Sequence, residues 1–293
     1  MSNPSTGSPA KPLRFAGPSK ALRKGVLLSC FLAPALAVFA AFFLLPVALL
    51  VPESLDTPAR WGIYTQIVTN PRYWKSLVDT VLLSLIVTFA ALLIGGMAGL
   101  FLERNAFPGR SVLVSMLTLP LSFPGVVVGF MIIMLGGRQG LVGQATDAIF
   151  GSKLVFAYSM IGLFFGYLYF SLPRVVTTVM AAASKLDVSQ EEAARTLGAS
   201  PLRTLIDVTI PAMVPALVST GAICFATSVG AFGTAFTLAT RINVLPIVIY
   251  TEFTLSANIA TAAMLSVVLG LVTWFTLFLA HVLTGTQATG SAA

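Results

Sequence analysis

Charge in this chain gathers in one short stretch, Glu191-Glu192-Ala193-Ala194-Arg195-Thr196-Leu197-Gly198, followed by Val208-Thr209-Ile210-Pro211. Glu191, Glu192 and Arg195 suit a surface that grips a partner, because paired charges set register and specificity more readily than they add affinity. Ala193 and Ala194 carry no bulk to hold such a partner away, and Gly198 permits a tight reversal behind them. The only other chemistry on offer comes from Asp79 and Glu252, carboxylates at the ends of apolar runs that could face a cation. Metal chemistry lacks its ingredients: His281 is the single histidine, and Cys30 and Cys224 lie inside apolar runs, where thiols behave as small apolar groups. No G-x-x-x-x-G-K-[ST] phosphate cradle occurs, so the chain is not expected to hydrolyse ATP, to be an enzyme, or to hold a cofactor or metal of its own.

These residues must be positioned by elements that water does not solvate. The chain has 293 residues, of which 57% are apolar and 9% charged, against about 25% charged in soluble domains. Its mean hydropathy is +0.93. A helix crosses a hydrocarbon core with about 20 apolar residues. Six runs qualify: 26–51, 77–102, 111–135, 154–179, 211–238 and 259–283. Continuous runs rather than short alternating ones exclude a β-barrel, and the expected fold is an all-α polytopic membrane protein with six transmembrane helices. Residues 1–24, rich in Ser, Pro, Gly and Lys, form an expected disordered tail; residues 25–285 make the transmembrane domain and 286–293 a short tail. The first run is too long, and too poor in a small-residue cleavage site, for a signal peptide.

Basic residues set the orientation. With the N-terminus inside, eleven of the seventeen Lys and Arg residues fall on the cytoplasmic face, which predicts both termini cytoplasmic. The formal charge of +7 is thereby a topology signal. No loop joins a basic face to interleaved aromatics, and no nucleic-acid partner is expected.

Locally, the charged stretch reads as helix, turn, helix on the cytoplasmic side, between the fourth and fifth spans. Ser189 followed by Glu192 fits a capping box, Gly198 stands where a helix end favours positive φ, and Ser200-Pro201 restarts a helix. A second short turn is expected before Pro211 admits the fifth span. Glu-Ala-Ala, the later Gly, and the aliphatic-x-Ile-Pro ending together resemble the EAA loop of ABC importer permeases. Similarity continues in Ser76-Leu77-Val78-Asp79-Thr80, the stretch from Gly95 to Arg104, Phe107-Pro108-Gly109-Arg110, Leu119-Pro120, Pro124-Gly125, Ser171-Leu172-Pro173 and Leu245-Pro246-Ile247. The resemblance covers roughly residues 70–283 and implies a type I, binding-protein-dependent permease of a bacterial inner membrane. It implies a coupling helix that docks on a separate ATPase subunit, with Glu191, Glu192, Ala193, Ala194, Arg195, Gly198, Ile210 and Pro211 as the docking residues. The implied partners are two ATPase subunits that bind ATP and Mg, a second permease chain, an extracytoplasmic substrate-binding protein and membrane lipid.

Helix breakers mark the expected translocation path: Pro120 and Pro124 in the third span, Gly230 and Gly233 beside Phe232 in the fifth. Breaks are tolerated where other helices or a polar cavity satisfy the freed backbone, although most membrane glycines serve helix packing. Asp79 and Glu252 complete the path set, and Arg174 reads as a boundary anchor whose head snorkels to the interface. Within the family the chain looks like polyamine, iron(III), sulfate and aminoethylphosphonate permeases. Ala231 stands where polyamine permeases often carry a carboxylate, which weakens a cationic substrate, while Asp79 in place of the usual Asn leans the other way. The rival reading is an ion-gradient-driven secondary transporter, which would carry an intramembrane carboxylate relay or inverted repeats.

Overall fold

The computed structural model describes residues 32–238 and 242–290, with side chains as far as residue 284. The N-terminal tail, Cys30, the start of the first run and the last three residues therefore lie outside the described residues. The chain divides into two compact units, before and after Leu49–Leu50.

Helix α1 (Leu32–Ser54) begins in the first unit. It widens into a π turn over Ala40–Leu44, where the Leu45 N–H bonds the Ala40 carbonyl. Pro46 follows directly. Proline removes an N–H and clashes with the carbonyl four residues back, and a widened turn relieves that clash without ending the helix.

The second unit carries the other crossings. Helix α2 (Pro71–Arg104) starts on Asn70, whose side chain accepts from the Arg72 N–H, with Pro71 in the first turn. The third crossing is expected as one helix over 111–135; the segment long and apolar enough to cross is instead Gly125–Phe150, and Arg110–Ser122 is a shorter apolar helix before it. Helix α3 (Arg110–Thr118) ends in a 3-10 turn over Leu119–Ser122, Phe123 is extended, and α4 runs over Gly125–Gly136. Pro120 and Pro124 are the cause: the residue before a proline is pushed to extended backbone, as Phe123 is. Helix α5 (Leu141–Phe150) is an amphipathic element not expected from hydropathy alone. Helix α6 (Met160–Ala183) makes the fourth crossing and α7 (Val188–Thr196) the charged loop helix.

The fifth crossing also differs from expectation. Helix α8 spans Pro201–Val229, so it starts a few turns earlier than Pro211 and stops before residue 238. Pro211 sits inside it, preceded by a π turn over Leu205–Thr209 in which the Ile210 N–H bonds the Leu205 carbonyl. The spacing from π turn to proline matches that in α1, and the same relief applies. At the far end Gly230 terminates α8 and Phe232–Leu238 forms a separate helix, α9. Helix α10 (Leu245–Thr254) and the last crossing, α11 (Ile259–Gly290), complete the chain. Among the described residues there are helices and no strands.

The α2–α6 pair is the spine of this unit. Ala91, Gly95 and Gly99 make a small-residue stripe on α2, one turn apart. A methyl group on Gly95 would lie 2.9 Å from Val175 Cβ, and one on Gly99 only 2.8 Å from the Val176 carbonyl oxygen. Such close approach replaces the hydrophobic drive that lipid cannot supply with backbone packing. Around the spine, Val87, Ile132, Leu163, Tyr167 and Leu238 form one buried cluster, and Val175, Val179, Met213 and Cys224 another.

Candidate functional site

The loop helix α7 is built much as its residues dictate, with one correction. Asp187, not Ser189, is its N-cap: the Asp187 carboxylate accepts from the Ser189 N–H at 3.0 Å. The Ser189 hydrogen bonds hold that carboxyl below its usual range, so the cap is formed at neutral pH and lost only as Asp187 protonates in acid. At the other end Gly198 has φ +86°. Its N–H bonds the Arg195 carbonyl, and the Ala199 N–H bonds the Ala194 carbonyl. That is a Schellman reversal, which favours glycine. Ser200 then caps α8 through the Arg203 N–H, with Pro201 in its first turn.

Glu191 is buried and its neighbour Glu192 exposed. The Glu191 carboxylate is turned inward: Arg104 Nη2, at the end of α2, donates to it, and so does Thr209 Oγ1, from the π turn of α8, at 2.8 Å. Arg104 Nη2 also reaches Thr209 Oγ1 at 3.3 Å. Glu191 thus ties α7 to two membrane helices. Glu192, Ala193, Arg195 and Gly198 are exposed, Ala194 partly so, and Leu197 is 89% exposed. Ile210 and Pro211 lie on the exposed side of α8. A cleft of ≈ 450 Å³ bounded by Arg104, Leu186 and Glu192 separates α7 from the ends of α2 and α6. Nothing in the local sequence pointed to Arg104 or Thr209 as partners of this loop.

Glu252 faces no open mouth. It is 5% exposed, Arg72 Nη1 donates to it at 3.1 Å, and the Tyr73 hydroxyl bonds it as well. The carboxylate is therefore a tie between α10 and the start of α2 and not a solvated boundary residue. Asp79 lies partly exposed two turns into α2 and has no ion pair among the described residues. Because Arg72 and Arg104 stand at opposite ends of α2, the Glu252 tie and the charged loop occupy opposite faces of the unit.

The two helix breaks come together. Thr234 Oγ1 on α9 donates to the Gly125 carbonyl at the start of α4, at 2.9 Å. The Tyr167 hydroxyl of α6 donates to the Ala231 carbonyl at 2.7 Å. Both bonds fasten the backbone at the breaks to a neighbouring helix. A cleft of ≈ 340 Å³ opens beside them, lined by Pro120, Phe123, Phe170, Arg174, Ala231 and Gly233 among others. Of the residues expected on the path, Pro120 and Gly233 line it. Pro124 caps α4 and Gly230 ends α8 without lining it. Phe232 instead packs its ring against Phe236 and Tyr250, with centroids 5.2 and 5.4 Å away. Arg174 requires correction: its head does not snorkel to an interface. Its Nη1 donates to Thr227 Oγ1 on α8 at 2.9 Å, and the guanidinium stays at the cleft.

Residues 91–285 match the family of binding-protein-dependent transport system inner membrane components. The chain belongs to this family. The permease is 29% identical over 240 residues to a putative 2-aminoethylphosphonate transport system permease protein of Salmonella paratyphi A, covering 80% of this chain and 83% of the relative. It is 34% identical over 210 residues to a molybdenum transport system permease protein of Escherichia coli, covering 69% and 89%. A sulfate transport system permease protein of Salmonella typhimurium is 34% identical over 203 residues, covering 68% and 70%. In fold, the permease matches a chain of a bacterial alginate ABC transporter crystallised with a periplasmic protein bound to an alginate pentasaccharide. The TM-score is 0.76 at 16% identity, covering 89% and 95%. A chain of the MetNI methionine ABC transporter, in an inward-facing form, matches with TM-score 0.56 at 18% identity, covering 74% and 98%. The fold is that of type I ABC importer permeases, and the permease is a multi-pass membrane subunit for binding-protein-dependent uptake. These relatives serve a phosphonate, molybdenum and sulfate; they give the polyamine expectation no support, in line with the missing carboxylate at Ala231.

Proposed function

We propose that this permease forms the translocation pathway of an ATP-driven importer for a small oxyanion, with both termini cytoplasmic and α7 as the element on which a separate ATPase subunit docks. The observation that carries this reading is the two-sided α7: Glu191 fastens it to α2 and α8 from within, while Glu192, Arg195 and Leu197 stay exposed. A helix fixed to two crossings and bare on its outer face transmits a partner's displacement into the membrane. ATP and Mg belong to the partner, and this chain supplies no hydrolytic residue. A second permease chain, identical or homologous, completes a two-fold path, and an extracytoplasmic binding protein delivers the solute. Two of the named relatives serve a phosphonate and sulfate, both oxyanions, which supports the solute class. The positive-inside count supports the orientation.

The test is Gly198→Asp. A Cβ at Gly198 meets nothing within 4 Å in this chain, so the substitution strains only the backbone, by about 1–2 kcal/mol, and adds a charge to the docking face. The variant should insert and accumulate normally yet retain the ATPase poorly on co-purification, and ATP-dependent uptake should fall at least about tenfold, as expected for misplaced charge at an interface. Glu192→Lys should behave alike. Normal uptake by both variants, or uptake that survives ATP depletion while the membrane potential is held, would favour a secondary transporter.

A further inference from the structure

An ionised side chain inside a membrane is costly and is ordinarily neutralised by a carboxylate. Arg174 breaks that pattern. It stands in the interior of α6, well over a turn from either end. The ion pairs among the described residues join Arg72, Arg104, Arg110, Lys153 and Arg203 to carboxylates, and none involves Arg174. Glu53 and Asp79, carboxylates within the crossings that have no ion pair among the described residues, do not line the cleft.

What holds Arg174 is a hydroxyl oriented to receive it. Thr227 Oγ1 lies 2.9 and 3.0 Å from the carbonyls of Ile223 and Cys224, one turn back on α8, so its proton is spent on the helix backbone and a lone pair is left for Arg174 Nη1. A guanidinium has five N–H donors in a rigid fork. With one donor directed to Thr227 and the Cys224 thiol also beside the guanidinium, the rest of the fork is left for the cleft, and a fork of this kind matches two oxygens of one tetrahedral or planar anion. The surrounding wall is apolar or small, from Pro120, Phe123, Phe170, Ala231 and Gly233. Among so few other polar groups, the guanidinium is the charge that an entering ion meets. The N-terminal end of α4, at Gly125, borders the same space and adds the positive end of a helix dipole. The breaks at Pro124 and Gly230 open this space where two continuous helices would fill it.

We infer that Arg174, oriented by Thr227, is an anion-binding residue of the translocation path and holds one oxyanion in the cleft between the α4 and α9 breaks. This inference rests on the importer reading above and names the side chain that meets the solute. A cation such as a diamine is repelled from this position, because no carboxylate in the cleft offsets the guanidinium.

The experiment uses the intact importer, purified in nanodiscs with its co-purifying ATPase. Arginines are modified with phenylglyoxal and located by mass spectrometry, in chloride alone and with added sulfate, molybdate, 2-aminoethylphosphonate or putrescine. At least one oxyanion should slow modification of Arg174 by about fivefold or more through direct occupancy of the guanidinium edge, while Arg138, exposed in the loop between α4 and α5, reacts at its usual rate. Putrescine should give no protection. Thr227→Val, which frees the guanidinium to turn, should weaken the protection, and Arg174→Lys should retain part of the uptake of the protecting anion that Arg174→Met loses. Equal labelling of Arg174 with and without every oxyanion, protection by putrescine, or no labelling of Arg174 under conditions that label Arg138 would each overturn the inference. Failure of the importer reading looks different: no ATPase co-purifies, whatever Arg174 does.

Discussion

Arg104→Met should destabilise the permease more than Glu191→Gln does, although both cut the same ion pair. The difference follows from burial. The Glu191 side chain is 11% exposed and Arg104 37%, so removing the arginine strands a buried carboxylate, whereas removing the charge on Glu191 leaves an arginine that water can reach. Losing one member of a buried pair costs about 3–5 kcal/mol, and the exposure of Arg104 puts this case near the low end. Glu191→Gln keeps an oxygen that can accept from Thr209 and should cost only about 1 kcal/mol. The double variant Arg104→Met with Glu191→Met should recover much of the loss, because a dry apolar pair replaces a stranded charge. Thermal unfolding of the detergent-purified complex measures all three. Function should diverge from stability here. Both Arg104→Met and the double variant release α7 from α2, so ATP hydrolysis should continue while uptake per ATP falls. If Glu191→Gln proves the more destabilising change, the tie is not the buried-charge arrangement described.

The second large effect lies in the helix spine. Gly99→Ala should lower stability and Gly99→Leu should prevent accumulation of the folded protein. A Cβ at Gly99 would lie 2.8 Å from a backbone oxygen of α6 and 2.9 Å from Val179 Cβ, and a carbonyl inside a helix cannot rotate away. Overpacking of this kind costs about 1–3 kcal/mol for a modest insertion and more for a large one. Gly96 supplies the internal control. An added Cβ there meets nothing within 4 Å, so Gly96→Ala should be neutral or stabilising by up to about 1 kcal/mol, the helix-propensity gap between the two residues. Fluorescence-detected size exclusion after graded heating would separate the two glycines. Equal behaviour of the two alanine variants would mean that α2 and α6 do not meet along this stripe.

The loop helix shows how far local chemistry reaches. Gly198 and the Ser200-Pro201 restart are legible because each acts within a few residues of itself, through a positive φ or a cap. The N-cap slipped from Ser189 to Asp187 because both residues can accept an N–H, and the chain took the earlier one. Pro211 misled in the same local way. Read alone it marks a helix start, yet a π turn upstream lets α8 run through it, and the aliphatic run around it carries no mark of that widening. The breaks at Pro120, Pro124 and Gly230 were legible as interruptions but not as neighbours. Bonds from Thr234 to the Gly125 carbonyl and from Thr237 to the Val126 carbonyl, 109 and 111 residues away in sequence, bring them together.

By itself the sequence determined the solvent, the approximate number of the crossings and, in the charged loop, the Gly198 reversal and the Ser200-Pro201 restart. Each of these depends on composition, on run length or on contacts within a turn or two. Tertiary structure alone decided what the charged side chains do. Arg104 meets Glu191 across 87 residues, Arg72 meets Glu252 across 180, and Arg174 meets Thr227 across 53. Each pairing depends on how two helices are rotated about their axes, and at 3.6 residues per turn a shift of one residue swings a side chain by about 100°. Hydropathy, nearly uniform around these crossings, does not record that rotation. The packing of small residues such as Gly95 and Gly99 sets it, and with it whether a carboxylate ties two helices together and whether an arginine faces the path.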